Sequence, residues 1–173
     1  MKGNRTALVF WSDYCDEMAA TTFVTALRKQ GVRVKLVGVA MGWAAGSSGI
    51  ALLPDITLEQ AIPLADQASA VIVPGGISAV RKLDNDPRLR QLLNRAYAQQ
   101  ALFISSADAV SELATLLAGE HPNPLVVSYP DGWEMIEFAR QVGEKLVRPA
   151  ARVTRQSGRP AYQLHNLAWS ARL

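Results

Sequence analysis

The chain has one cysteine and two histidines in 173 residues, and each shortage removes a class of protein. Cys15 alone cannot close an internal disulfide, so the fold must rest on a buried core, and a reducing cytoplasm is the expected compartment. Cysteine and histidine form no cluster of zinc-ligand spacing, and neither a Walker loop nor the dinucleotide-binding glycine fingerprint occurs. No metal and no cofactor are therefore expected. No run approaches the ~18 apolar residues that span a bilayer. The first apolar run, Ala7 to Trp11, is broken at once by Ser12-Asp13, so neither a signal peptide nor a membrane partner is expected.

What remains is ordinary for a globular protein: 49% hydrophobic and 19% charged residues, in a length that suits one domain with a real core. The charge is uneven. Arg148, Arg152, Arg155, Arg159 and Arg172 follow Val147 with no acid among them, and these five exceed the net charge of the whole chain, +3. The body is thus net acidic, which argues against a nucleic-acid-binding domain. The division expected is an α/β domain over residues 1–149 and a basic extension over 150–173. Residues 152–156 and 161–164 could form a terminal hairpin, or the extension could pair with another subunit.

Apolar, β-rich runs at Thr6 to Trp11, Val32 to Val39, Ala68 to Val73, Ala101 to Ser105 and Leu125 to Ser128 read as strands, with a short one at Ile50 to Leu53. Between them lie helical patterns: Asp16 to Gln30, closed by Gly31; a turn at Thr57 to Ala61; a helix opening on Asp86-Pro87 with Leu89, Leu92, Leu93 and Ala96 on one face; Ala107 to Leu117; and one capped by Asp131 that buries Met135, Phe138, Ala139, Val142 and Leu146. Met41 to Gly49 and His121 to Pro124 read as loops. Strands alternating with helices predict a mostly parallel sheet covered on both faces.

In such a fold, strand ends are where ligands bind, and two turns stand out. Val73-Pro74-Gly75-Gly76 brings two glycines, which permit positive φ and can aim backbone N–H groups at an anion. Ser105-Ser106-Ala107-Asp108 ends the fourth long strand. Ser106 could attack a carbonyl only with a base in reach, and His121 and His165 are the only histidines. Its hydroxyl and that of Ser105 are otherwise expected to satisfy backbone groups at the strand end. Asp108 is placed to favour the first turn of the next helix. Cys15 falls in the loop after the first strand, where Asp13, Asp16 and Glu17 would raise its pKa. Trp11, Tyr14 and Trp43 are candidates to line the crevice.

The order of these pieces resembles the ThiJ/PfpI superfamily, which includes the Parkinson-associated deglycase, PfpI-type hydrolases and class I glutamine amidotransferase-like proteins. The likeness rests on Ala7-Leu8-Val9-Phe10 with Asp16-Glu17-Met18, on Leu53-Pro54-Asp55, on Val73-Pro74-Gly75-Gly76 and on Leu102 to Leu113, and spans roughly residues 5–146. It implies a flavodoxin-like three-layer sandwich and a homodimer. It also implies a cysteine on a strained elbow, a supporting carboxylate after the first strand, and an oxyanion site on the glycine turn. Carried over by position, the elbow cysteine falls on Ala107 and the carboxylate on Ala19, with Glu17 able to substitute only if the register slips. A methyl group cannot serve as a nucleophile. The resemblance therefore implies a catalytically degenerate binding or regulatory module with stress-response connections, holding a small molecule at Gly75, Gly76, Ser106, Ala107 and Asp108. The alternatives are a hydrolase or lyase (glyoxalase-, deglycase- or amidase-like) with a relocated nucleophile at Ser106 or Cys15 supported by Glu17, and a nucleic-acid-associated regulator acting through the arginines.

Overall fold

The computed structural model describes residues 5–118 and 124–147. The arginine-rich extension, His121 and His165 lie outside them, and with them the expected terminal hairpin. Within the described residues the expected parallel sheet forms, in the order β5-β2-β1-β6-β7-β8. Its strands are β1 (Thr6–Trp11), β2 (Arg33–Gly38), β5 (Ile56–Thr57), β6 (Ala68–Val73), β7 (Leu102–Ser106) and β8 (Val126–Tyr129). Every pairing in it is parallel. A separate two-stranded antiparallel hairpin joins β3 (Ala44–Ala45) to β4 (Ala51–Leu52).

The sheet is central because its strands carry apolar residues on both faces. Ala7, Val9, Trp11, Ile72 and Ile104 face one layer, made by α1 (Glu17–Lys29) and α6 (Glu134–Val147). Leu8, Phe10, Val71, Val73 and Phe103 face the other. That layer is built by α2 (Leu58–Ala65), α3 (Ile77–Asp84), α4 (Pro87–Ala98) and α5 (Val110–Ala118). All six residues of β1 are buried. Phe23 of α1 meets Tyr129 and Phe138 edge-on, at centroid distances of 5.6 and 6.1 Å, and so ties α1 to β8 and α6.

Most helix boundaries follow their caps. Asp16 accepts the Ala19 N–H at the start of α1, and Asp86 accepts the Arg88 N–H before Pro87 opens α4. Thr57 and Gln60 close a reciprocal capping box on α2.

Four local expectations are corrected. α3 was not anticipated, because it follows directly on the glycine turn and buries only Ala79, Val80 and Leu83. Ala44 and Ala45, read as loop, pair with Leu52 and Ala51. α5 starts at Val110, so Ala107 and Asp108 belong to the turn before it. α6 starts at Glu134, and its entry is a turn in which Gly132 and Trp133 carbonyls accept the Met135 and Ile136 N–H groups, so Asp131 does not cap it.

Candidate functional site

The crevice expected of this topology lies at the carboxyl ends of β1 and β6, where the chain turns from building the sheet leftward to building it rightward. That crevice is filled by the chain itself. The loop after β1 crosses the glycine turn, with the Asp16 N–H donating to the Pro74 carbonyl at 3.3 Å. Gly75 has φ +115°, and a Cβ there would lie 2.9 Å from the Tyr14 carbonyl oxygen and 3.1 Å from the Asp16 nitrogen. Glycine is required at 75 by both conformation and contact. Gly76 differs from expectation: its φ is −81°, and its nearest neighbour is the exposed Asp108 carboxylate, 2.5 Å from where a Cβ would stand and free to move aside.

One donor of this turn already has a partner. The Gly75 N–H donates to the phenol oxygen of Tyr129 at 2.8 Å. Ser106, the last residue of β7, stands opposite Tyr129 in the sheet register. Its Oγ lies 2.6 Å from both the Gly75 carbonyl and Asp108 Oδ1, so one hydroxyl proton serves two acceptors. Ser105 is buried and donates to the Val73 carbonyl at 3.1 Å. The serine hydroxyls thus satisfy the strand ends as their position implied. Tyr129 itself was not anticipated, being read as lying just past the strand. Burial pushes its phenol up to about 12, against hydrogen bonds from Gly75 and Ser106 that favour the phenolate.

Ala107 does not adopt a positive φ. Among the described residues only Tyr14 (φ 70°) and Gln100 (φ 59°) combine a side chain with a positive φ. The strained position lies instead at Tyr14, where a bulky residue in the left-handed region costs about 1–3 kcal/mol. The Cys15 N–H to Ser12 carbonyl bond and the Asp16 bridge hold it there.

Cys15 is fully buried. Burial pushes its thiol up to about 11, with Asp13 and Asp16 adding to the rise and hydrogen bonds from Ser12 opposing it. Glu17 turns away from the thiol. Its Oε1 accepts the N–H groups of Ser48 (2.8 Å) and Ile50 (3.2 Å), and its Oε2 accepts the Ser47 hydroxyl (3.3 Å). A Cβ at Gly46 would stand 2.5 Å from the Glu17 carboxyl carbon. The small residues of the β3–β4 hairpin are therefore anchored by one carboxylate. Burial alone would raise the Glu17 pKa, yet hydrogen bonds from its own backbone, Ser48 and Ile50 outweigh it and bring the group to about 2.

Two hollows flank this centre. One, of about 410 Å³, lies over Glu17, Met18 and Ser48. The other, of about 340 Å³, opens between the ends of β1 and β2 and the end of α3, lined in part by Trp11 and Trp43. Neither includes Gly75, Gly76, Ser106, Ala107 or Asp108. No group of three or more His, Cys, Asp or Glu among the described residues is placed to hold a metal ion. No helix among them is long and apolar enough to cross a membrane.

These features define a flavodoxin-like α/β protein whose glycine turn and β7 turn meet at the carboxyl edge of the sheet. The model of the DJ-1/PfpI family matches residues 5–120, and the chain belongs to that family. Solved structures agree on the fold. Drosophila melanogaster DJ-1beta superposes with a TM-score of 0.69 at 19% identity, covering 83% of this chain and 91% of its own. A cysteine-to-alanine mutant of a DJ-1 superfamily protein from Salmonella typhimurium gives 0.67 at 18%, covering 82% and 89%. Oxidized Toxoplasma gondii DJ-1 gives 0.65 at 19%, covering 82% and 95%. A search of curated proteins returned no match.

Two outcomes follow from the geometry. The Glu17 carboxyl is depressed to about 2 in the folded chain, against about 4.3 for an unperturbed glutamate. Its contribution is complete above the unfolded value and is lost as the pH falls from there through 2. Hydrogen exchange at the Ser48 and Ile50 amides will accelerate over that window. Glu17→Gln will lose about 1–3 kcal/mol of stability at neutral pH and abolish the acid step. Separately, Ala107→Cys will give a thiol that titrates at or above about 8.5, because the Asp108 carboxylate adjoins it; the pH dependence of its alkylation measures this.

Proposed function

We propose that this chain is a non-catalytic member of its family that works as a binding or regulatory module. The observation that carries the reading is the closure of the glycine turn: the Gly75 N–H, which could stabilise an oxyanion, is held by Tyr129. Beside it, Ala107 stands where the resemblance places the family's cysteine, and it offers no reactive atom. The candidate replacements are poorly equipped. Cys15 is buried with a raised pKa, Ser106 is engaged with Gly75 and Asp108, and both oxygens of Glu17 are committed to the hairpin. The cytoplasm remains the proposed compartment, on the strength of a single buried thiol.

Turnover is the test. Purified protein offered methylglyoxal, peptides and small amides will give no rate above the uncatalysed background. A rate that survives repurification and disappears in Ser106→Ala or Cys15→Ser would replace the proposal with a rebuilt active site at that residue.

The module is proposed to be a homodimer, as the family resemblance implies. Met18, Ile50 and Leu53 are each about half exposed around the hairpin that Glu17 anchors, and a second copy would remove this apolar surface from water. Sedimentation velocity will show a dimer that Ile50→Glu converts to monomer; a wild-type chain that stays monomeric at high concentration removes this part of the reading.

A further inference from the structure

The 340 Å³ hollow between β1, β2 and the end of α3 is a second site on the same edge of the sheet, separate from the closed turn. We infer that it binds a planar heteroaromatic lactam, a flat ring system with an N–H beside a C=O. This rests on the proposed binding role and names the place and the ligand class.

The walls are fixed before any ligand arrives. Beneath the floor lies Trp11, fully buried, whose indole N–H donates to the Ala44 carbonyl at 3.0 Å and pins the rim. One end is closed where Pro54 packs against Gly38, with Pro54 Cγ 2.7 Å from where a Cβ would stand. Arg88 ties the Val39 carbonyl (3.3 Å) to Asp86 (2.6 Å) and holds the strand end against α4. Across this frame stand Trp43, 73% exposed, and Met41, 59% exposed. Such exposure leaves a large aromatic face and a thioether in water, and a flat ring laid between them would cover both. The volume suits a small bicyclic ligand.

The polar edge sets the chemistry. Asp13 and Lys82 lie 3.6 Å apart across the mouth, each about half exposed, with Asn85 beside them. A loose exposed ion pair contributes little and opens at small cost. It presents an acceptor next to a donor, and a lactam edge presents the complement: its N–H donates to the Asp13 carboxylate and its C=O accepts from the Lys82 ammonium. An anionic ligand is disfavoured. Among the described residues the charges at the hollow balance, Lys82 against Asp13 and Arg88 against Asp86, so an anion meets no net positive field. The carboxyl end of α3 faces it, and the start of α4 is already capped by Asp86.

The probe is 4-quinazolinone, compared with the same ring methylated at the lactam nitrogen and with a carboxylate-bearing analogue. Binding is read by calorimetry and by amide and indole shifts in NMR. The lactam will bind saturably and move the Trp43 indole and the Asp13 and Lys82 amides. Trp43→Ala, a change at an exposed position, will weaken it about tenfold. N-methylation and Asp13→Asn will each weaken it, and the carboxylate will bind no more tightly. Absence of saturable binding overturns the inference, as does indifference to Trp43→Ala and to N-methylation, or tighter binding of the carboxylate. Shifts centred on Gly75 and Ser106 also overturn it while leaving a binding module in place. Turnover in the earlier assays removes the non-catalytic reading and leaves this site standing.

Discussion

The contact on which this edge of the molecule depends is the one between the loop after β1 and the glycine turn after β6. The Tyr14 carbonyl and the Asp16 amide press on Gly75 so closely that no side chain could stand there, and the Asp16 N–H closes the contact on Pro74. Asp16 also caps α1. One short segment therefore starts the helix, bridges β1 to β6 and forces Tyr14 into the left-handed region. The strain at Tyr14 is sustained because each neighbour is fixed by a bond of its own. Tyr129 completes the arrangement from β8 by taking the Gly75 N–H, while Phe23 packs on its ring from α1. The Gly75 side of the carboxyl edge is thus occupied by the chain's own groups.

Two carboxylates show how position decides what an acid does. Glu17 and Asp108 both flank this centre, and either could be read from sequence as chemistry. Glu17 is buried and accepts three hydrogen bonds from the hairpin, so the charged form is the favoured one and its depressed pKa marks a structural anchor. Asp108 is exposed and shares the Ser106 hydroxyl while lying over Gly76. It lies beside the glycine turn and closes the Ser106 hydroxyl over it.

The long strands were legible because a parallel strand covered on both faces must be apolar throughout, and Ala7 to Trp11 and Ala70 to Val73 satisfy that without ambiguity. The cap at Asp86 was legible because its chemistry is local. The β3–β4 hairpin was not, since alanines carry no strand signal and its anchor is a glutamate some 30 positions away. α3 was hidden for a related reason: three buried positions in eight residues give too short a period to read. In the site, Cys15's raised pKa was anticipated from its acidic neighbours, but burial is the larger cause, and Glu17 had been counted with those neighbours although it faces the hairpin. Tyr129 gave no pattern to find, because its role depends on register between β7 and β8, which no single segment encodes.

Open space on this edge follows from the same packing. Ligands of doubly wound sheets collect at the switch between β1 and its later neighbour, and here that switch is occupied by the Tyr14 loop. The loop leaves β1 toward β6 to reach Gly75, and the hollow opens on the β2 side, above the buried Trp11. The turn through Met41, Gly42 and Trp43 is short of side chains that could fill the gap: Gly42 adopts φ +136° with nothing within 4 Å of a Cβ position. Filling the switch and opening the hollow beside Trp11 are therefore consequences of one choice of direction by the segment Ser12 to Asp16. Among the described residues, the hollow beside Trp11 lies one strand over from the switch, with Trp43 and Met41 exposed at its rim.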